Sequence, residues 1–392
     1  MAGVDWRDTT ARHVIRVVQV SQTNLDDQLG ELEGVDLSGS SLEWGYYTDL
    51  RTSGKLRVYG EGWERGRFLR VYHEMPDYGY SEVLGTYVVT NDDAEEVNGI
   101  WVYELELQST LQMLVDDLLT RPWVIARGAS SLDAIRHVLV TSGAHSMRKM
   151  WAALLNPNDS VVELDTSLAE DVQATTAQVM KAGQSRLECL FALCKMGNNR
   201  LDVSPMGNPV IRRRRSLAHV EPKFRIDVAD RRGVIIDGSL KHHTDWLELP
   251  DTYAVSHSFT DKEGGDGKSE QREIYGEAHV RASDSHAVAN RGYSIVHFES
   301  IRDMKPKTSK RASEIARQRL KEQSVELMEW ELSTVYLPLT EGDVVELVVR
   351  NGLERYRGVR RCMVKDVEVE LEHMTMSMTL KEVASGDKGD ED

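Results

Sequence analysis

Two adjacent histidines followed by an acid are the residues of this sequence best suited to metal chemistry. His242, His243 and Asp245 offer the imidazole and carboxylate groups that zinc takes as ligands. Neighbouring residues of a strand point to opposite faces, however, and no further ligand follows at a spacing known for zinc sites. We therefore predict no metal site, and the alternative of a hydrolase rests on this cluster alone.

Other residue patterns for catalysis are weaker. The sequence contains no His-Glu-x-x-His motif, no Gly-x-Ser-x-Gly elbow and no Walker loop. Glycoside hydrolysis needs two facing acids roughly 5 to 9 Å apart. Glu95-Glu96 and Asp116-Asp117 are pairs of adjacent acids, but in a chain with 64 acids such pairs give almost no indication of a catalytic site. We predict no catalytic residues, no cofactor and no enzymatic activity.

The cysteines and the net charge exclude further classes of protein. Cys189, Cys194 and Cys362 form no Cys-x-x-Cys pair, and they are predicted to be buried, reduced thiols. The formal net charge of -16 argues against general nucleic-acid binding, which depends on neutralising phosphates. The basic run 212–215 is expected to meet acidic patches of a partner subunit or solvent.

The hydropathy of the chain predicts no membrane anchoring. No apolar run approaches the roughly 20 residues that a membrane-spanning helix needs. The N-terminus has neither the basic start nor the apolar segment of a secretory signal. We expect the protein to be made and folded in a cytoplasm.

The periodicity of apolar residues predicts a β-rich α+β protein. Short alternating runs separated by turn residues over 1–108 predict a small antiparallel β-barrel or sandwich. Residues 109–215 are predicted to form an α+β subdomain, with helices over Ser109–Leu119, after a Ser130 cap and over Ser185–Met196, followed by a hairpin at 200–212. Residues 216–308 are predicted to be β-rich, with strands at 233–238, 252–259, 272–280 and 294–298, contributing partly to a second barrel and lying partly at its periphery. Residues 384–392 are predicted to be a disordered acidic tail.

Residues 309–383 are predicted to form a helix and then a second β subdomain. Ala312, Ile315, Ala316 and Leu320 share one side of a charged helix. Alternation then predicts strands from Met328, across 344–349 and over 374–381, where four apolar residues of one face are assigned to core packing. A tight acidic turn at 340–343 separates the first two of these strands.

Three blocks of this sequence resemble one family. They are the helix 309–323 with its strand and the motif Leu339-x-x-Gly342-Asp343-x-Val345, the helix and hairpin of 185–195 and 200–211, and the strand, glycine and helix of 122–136. Their order and their spacing over about 230 residues carry the inference. The chain resembles the baseplate-hub or tail-tip hub proteins of tailed bacteriophages.

The resemblance implies an architecture and a role. Members of that family carry two similar small antiparallel β-barrel subdomains with an α+β insertion between them. A homotrimer would then place six such barrels in a ring, adapting the hexameric tail tube to the threefold tip. The implied partners are a distal tail or tail tube protein, the tape measure protein and a tip spike or fibre protein. DNA would pass through the lumen without specific binding, and the protein would belong to the virion after assembly in the host cytoplasm.

Two rival functions remain open at the level of sequence. A β-rich carbohydrate-binding tail protein is suggested by aromatic residues that are expected to be exposed, namely Trp44, Tyr46, Tyr47, Trp63 and Trp101. A cell-wall hydrolase would depend on the cluster of His242, His243 and Asp245. Because the sequence ends soon after Lys381, we expect wall degradation and receptor binding to belong to other proteins.

Overall fold

The computed structural model divides the chain into two compact units. The larger comprises 1–240 and 331–380, and the smaller comprises 241–330 and 381–392. The structure describes residues 4–8, 10–22, 24–60, 62–141, 171–174, 177–196, 199–213, 217, 220–230, 234–236, 239–244, 249–261, 270–283, 287–301, 306–323, 328–350 and 354–383.

Strands outnumber helices in the described residues. The strands are β1 Val14–Ser21, β2 Asn24–Glu31, β3 Val35–Gly45, β4 Thr52–Tyr59, β5 Phe68–Met75, β6 Tyr80–Val97, β7 Ile100–Ser109, β8 Trp123–Ile125, β9 Gln178–Met180, β10 Asn199–Val203, β11 Pro209–Arg213, β12 Phe224–Asp227, β13 Lys241–Thr244, β14 Thr252–Asp261, β15 Glu270–His279, β16 Val296–Ser300, β17 Met328–Val335, β18 Val344–Val349, β19 Gly358–Glu370 and β20 Thr375–Glu382. The α-helices are α1 Gln112–Asp116, α2 Ser131–Val140, α3 Arg186–Met196, α4 Val288–Arg291 and α5 Ser309–Gln323. The predicted β-rich α+β class is confirmed.

One continuous sheet organises the larger unit. Its hydrogen-bonded order is β20-β19-β3-β4-β7-β6-β5-β1-β2, and β18 joins β19 while β12 joins β18 in parallel. Alternating side chains of these strands form the core, as period-two patterning requires. In β20, Met376, Met378 and Leu380 are buried, as is Met374 just before it, so the prediction that these side chains pack in the core is confirmed.

A single strand joins the N-terminal and C-terminal parts of this sheet. β19 pairs with β18 through residues 358–363 and with β3 through residues 366–370. The described ladder does not close on itself, so two separate barrels stay a prediction. The predicted division at 108, 215, 308 and 383 also stays a prediction.

Helices, the β8–β9 strand pair and the β10–β11 hairpin form a second core within the larger unit. Buried residues of α2 and α3 pack there with Leu111, Leu114, Leu201 and Ile211. The Ser130 hydroxyl accepts the Asp133 backbone N–H at 3.0 Å, so the predicted helix cap is confirmed. The hairpin β10–β11 was also predicted, and Cys189 and Cys194 are buried free thiols, as is Cys362 of β19.

The predicted helix over Ser109–Leu119 was too long. The structure ends α1 at Asp116, and Asp117 has extended backbone angles. Instead of continuing the helix, the backbone of Leu119 bonds to Gln184 and Gly183, and Asp117 accepts from Arg186. Leu118 is therefore 50% exposed and does not join the apolar face that its spacing predicts.

The smaller unit packs a helix on one face of a three-stranded sheet. The strand order is β15-β14-β16, with β14 antiparallel to β15 and parallel to β16. Ala312, Ala316 and Leu320 of α5 pack on Tyr253 and Val255 of β14, which confirms the predicted apolar stripe. Gly276 permits this contact, because a Cβ there would lie 2.2 Å from the Ser313 nitrogen.

Two other predicted segments fall partly outside the described residues. Within 233–238, only 234–236 are described, and there Ile235 bridges to Thr334. The predicted tail 384–392 lies outside the described residues. None of the described helices combines the length and the hydropathy needed to cross a bilayer.

Candidate functional site: a buried junction of two sequence motifs

Two of the motifs that carry the resemblance meet inside the larger unit. Arg200, at the start of the 200–211 motif, forms an ion pair with Glu341 of the turn before β18 at 3.3 Å. Both side chains are about 10% exposed. The Arg200 guanidinium also binds Asp202 and lies 3.7 Å from the centre of the Tyr46 ring. The β3–β4 loop, the β10–β11 hairpin and the turn at 340–343 are thus joined through one arginine.

A second buried arginine, Arg51, binds residues of the same junction. Arg51 donates from Nε to the Leu201 carbonyl at 3.0 Å and from a terminal nitrogen to the Tyr46 carbonyl. Its Nε lies 3.6 Å from the Asp202 carboxylate. Its own backbone has φ of 66°, in the left-handed region that costs energy for a residue with a side chain. Burial lowers the pKa of Arg51, and the neighbouring Arg200 lowers it further.

Two arginines and two acids are largely buried in this junction, and burial disfavours the charged form of each side chain. Burial raises the pKa of Glu341 to about 7, and it outweighs the opposite effect of the Arg200 guanidinium. Gly342, which follows, has φ of 85°, and a Cβ there would lie 3.1 Å from the Tyr46 ring. The glycine of the Leu-x-x-Gly-Asp motif is therefore needed both for its backbone angle and for close approach to Tyr46.

The tip of the β10–β11 hairpin is clamped to the sheet by another arginine. Arg70 is fully buried and donates to the carbonyls of Leu25 and Met206 at 2.8 and 3.2 Å and to the Thr86 hydroxyl at 2.8 Å. Thr110 donates to the Gly207 carbonyl at 2.6 Å. No carboxylate accepts from Arg70 among the contacts described, so its role is to hold backbone carbonyls of two separate chain segments.

A third polar cluster ties the segment after β17 to the N-terminal strands. The ring nitrogens of His13 and His73 lie 2.9 Å apart, and His73 lies 3.4 Å from the Glu82 carboxylate. The Tyr336 hydroxyl donates to the same carboxylate. Burial raises the pKa of Glu82, but hydrogen bonds from His73, Tyr336 and Tyr80 outweigh it and leave the pKa below its usual value. Burial and the nearby His73 lower the pKa of His13.

The polar groups of these clusters bond to one another and to the backbone. His73, Arg70 and Tyr336 are at most 5% exposed, and their donors and acceptors are occupied by groups of the chain. The arrangement fixes the positions of loops and hairpins relative to the sheet. Buried polar contacts of this kind specify one packing.

Where the structure describes them, the residues considered for catalysis from the sequence have the following places. His242 and His243 lie on β13, and the His242 ring is 5.7 Å from that of Trp330, whereas Asp245 lies outside the described residues. Glu95 and Glu96 are exposed successive residues of β6. Asp116 accepts from Gln112 and Asp117 pairs with Arg186 at 2.8 Å, so these two acids have separate partners.

The basic run 212–215 is described only in part. Arg212 and Arg213 are exposed on β11, and 214–215 lie outside the described residues.

The expectation that five aromatic residues are exposed is wrong for Trp44. Trp44 is 7% exposed and belongs to the core, because its position on β3 faces inward. Tyr46 and Trp63 are half-buried, whereas Tyr47 and Trp101 are 61% and 48% exposed.

Sequence reasoning missed the buried arginines and one surface cluster. Arg70 lies between Leu69 and Val71 in a strand whose first four residues are all buried, so the sequence shows a charge inside an otherwise apolar run.

A surface cluster was also not predicted. The carboxylates and imidazole of Glu370, Glu372 and His373 could offer three ligands within 4.8 Å. Glu370 accepts from Thr375 at 2.8 Å, and these contacts shape the turn between β19 and β20.

Comparisons with known proteins agree on the fold. No protein-family model matches the chain, and no curated protein sequence matches it. Among solved structures, the tail protein from Neisseria meningitidis MC58 matches with a TM-score of 0.60 at 10% identity, over 94% of this chain and 96% of that one. The 43 kDa tail protein of prophage MuSo2 from Shewanella oneidensis matches with 0.57 at 10%, over 95% and 99%.

A third solved structure extends the agreement. The prophage tail protein gp18 from Listeria monocytogenes EGD-e matches with a TM-score of 0.52 at 10% identity, over 94% of each chain. All three likenesses run over almost the full length of both partners. The chain thus has the fold of phage tail proteins, and the resemblance seen in its motifs is confirmed at the level of the fold.

Proposed function

We propose that this chain is a structural component of a phage-type tail. Three copies would form a hub ring at the distal end of the tail, adapting a hexameric tube to a threefold tip. The observation that carries the proposal is the likeness of fold to three tail proteins over at least 94% of this chain. The chain would act by shape and assembly, without catalysis.

The interior of the larger unit suits such a role. A ring that bears load needs loops and strands fixed relative to one another, and buried polar networks supply that specificity. Arg200, Arg51 and Arg70 tie the 200–211 motif to the sheet and to the turn at 340–343. β19 makes the N-terminal and C-terminal strands one sheet, so each copy would present two β regions as one rigid piece.

The proposed neighbours follow from this place in a tail. The ring would contact a distal tail or tail tube protein on one side and a spike or fibre protein on the other. Tape measure protein and DNA would pass through its centre. The net charge of -16 supports passage without binding, because like charges repel the phosphate backbone.

Native mass spectrometry of the full chain tests the proposal. A complex of three copies is expected at micromolar concentration. A protein that stays a single copy, or that forms a two-copy complex, would overturn the trimeric hub. Co-expression with tail proteins from the same gene neighbourhood then tests the proposed contacts, and the ring is expected to be retained with a tube protein on an affinity column.

A further inference from the structure

A hairpin of the larger unit extends beyond the strands on either side of it. Among the described strands, β6 pairs with β5 only as far as Tyr87, and β7 pairs with β4 only as far as Val102. Residues 92–101 form the end of this hairpin, which we name the acidic arm. Its turn residues Asn98 and Gly99 both have positive φ, as a tight two-residue hairpin turn requires.

The charge of the acidic arm and of the sequence around it has one sign. No lysine or arginine occurs between Arg70 and Arg121, whereas acids are frequent there. Arg65, from a loop that precedes β5, contacts Asp92 at 2.6 Å at the base of the arm. Glu95 and Glu96 are exposed, and neither side chain has an ion pair or a hydrogen bond among the described residues. Their carboxylates are therefore available to a partner.

Apolar side chains lie on both faces of the arm. Residues directly opposite each other in an antiparallel pair share a face, and successive residues of a strand alternate between faces. Val97 and Ile100 are opposite each other on one face and are 38% and 53% exposed. Trp101 lies on the other face opposite Glu96 and is 48% exposed. Glu95 lies on the face of Val97, so each face combines an exposed apolar group with an acid.

A hairpin of this kind fits a groove better than a flat surface. Exposed apolar residues framed by one sign of charge are typical of a surface that a partner covers. A flat partner would cover one face of the arm and leave the apolar groups of the other face in water, whereas a groove covers both. The matching groove has apolar walls and lysine or arginine at its rim.

We propose that the acidic arm inserts into a basic groove of a second tail protein that adjoins the ring. Charge complementarity favours a different protein over another copy, because two chains with a net charge of -16 repel each other. A ring of three copies would present three arms at once, and their combined attachment exceeds that of one arm. This inference rests on the proposed function for the place of the chain in a tail.

Charge reversal tests the docking in the full chain. The probes are the tail tube, distal tail and spike proteins of the same gene neighbourhood, each purified and added to the immobilised three-copy complex in biolayer interferometry. One of them is expected to bind the unmodified complex. Glu95→Lys with Glu96→Lys is expected to weaken this binding by at least about tenfold. The matched control is Asp26→Lys with Asp27→Lys, two exposed neighbouring acids of β2, which is expected to bind as the unmodified complex does.

A second pair of variants tests the apolar groups in the same assay. Ile100→Ser with Trp101→Ser removes one exposed apolar group from each face of the arm, and it is expected to weaken binding by at least about tenfold. Leu29→Ser is the control, because Leu29 of β2 is 48% exposed, as Trp101 is. The control is expected to leave binding unchanged.

The possible results separate this inference from the proposed function. If the unmodified chain forms no three-copy complex, the proposed function fails. If the complex forms but binds none of the three proteins, or if the arm variants bind as tightly as their controls, the docking contact is wrong. Weaker self-association of both arm variants would show that the arm contacts another copy, which would also overturn it.

Photocrosslinking reads the two faces of the arm separately and does not depend on charge. The photoreactive residue p-benzoylphenylalanine replaces Glu96 in one variant and Val97 in another, because these neighbours face opposite sides of the hairpin. Both positions are expected to crosslink to the same partner, within segments that contain lysine or arginine. Crosslinks from one position alone would show an arm that lies flat, and crosslinks to another copy would show a contact within the ring. Either result would overturn the proposed insertion.

Discussion

At the scale of single residues, the stability of the larger unit depends on buried arginines that donate hydrogen bonds to backbone carbonyls. Arg70 joins Leu25, Thr86 and Met206, so it links the first hairpin, a central strand and the β10–β11 turn. A buried cation destabilises a protein unless its donors are satisfied, and removing Arg70 leaves its acceptors without that donor.

Replacing Arg70 by Met should destabilise the protein by roughly 2 to 4 kcal/mol, because two carbonyls lose their donor in a site closed to solvent. Urea unfolding followed by far-ultraviolet circular dichroism measures the change. Arg65→Met is the control, since its side chain is 80% exposed and pairs with Asp92 at the surface. That control is expected to stay within about 0.5 kcal/mol of the unmodified protein. Equal losses for the two variants would contradict the assigned role of Arg70.

Glu341 should give the protein a specific dependence on pH. Its pKa is raised from 4.5 to about 7 in the folded protein, so the folded state binds the proton more tightly than the unfolded state. The associated stability is fully present below about pH 4.5 and is lost as pH rises to about 7. Glu341→Gln is expected to remove this loss, which amounts to a few kcal/mol.

Urea midpoints between pH 4.5 and 8 measure this effect as a difference between the two proteins. The variant should gain stability relative to the unmodified chain as pH rises through this window. Glu331→Gln, at an exposed position of β17, is the control and should change nothing across it. A constant difference between Glu341→Gln and the unmodified protein would show that the carboxyl group titrates normally.

At the scale of elements, the smaller unit depends on close approach of a helix to a strand. A Cβ at residue 276 would lie 2.2 Å from the Ser313 nitrogen and 2.4 Å from the Ala312 carbonyl carbon, so α5 would have to shift away from β15. Gly276→Ala is expected to cost about 2 kcal/mol or more, and to speed hydrogen exchange in α5. Glu277→Ala, exposed on the opposite face, should leave exchange unchanged. Unaltered exchange in Gly276→Ala would contradict this packing.

Elements were predictable from sequence where the signal is local. The alternation at 374–380, the apolar stripe of α5 and the Ser130 cap each depend on residues close in sequence. Helix α1 was overestimated because the backbone of 117–119 pairs with residues 183–186, a contact that periodicity cannot reveal. The pairing of β3 with β19 is of the same kind, since a pattern defines the faces of a strand but not its neighbours.

The candidate site was harder to predict than the fold. The motifs at 200–211 and 339–345 were recognised by resemblance, yet their meeting through Arg200 and Glu341 joins residues 141 positions apart. Arg70 could be noticed only as a charge within an apolar run, Arg51 lies in a polar loop sequence, and the carbonyls that the two arginines bind cannot be read from the sequence.

At the scale of the whole molecule, we propose that three copies close into a ring. One continuous sheet joins the N-terminal and C-terminal strands of each copy, so each copy would enter the ring as one piece. Because each copy carries a net charge of -16, copies repel one another, and self-association should strengthen as salt screens this repulsion over about 8 Å at physiological ionic strength. Sedimentation at low and high salt measures this, and an association that weakens with salt would point to an interface held by opposite charges instead.

Electron microscopy of the purified chain tests the ring most directly. Class averages are expected to show particles of three copies around a central opening, with threefold symmetry and six β-rich lobes near the axis. Single copies without an opening, or particles with twofold symmetry, would contradict the account.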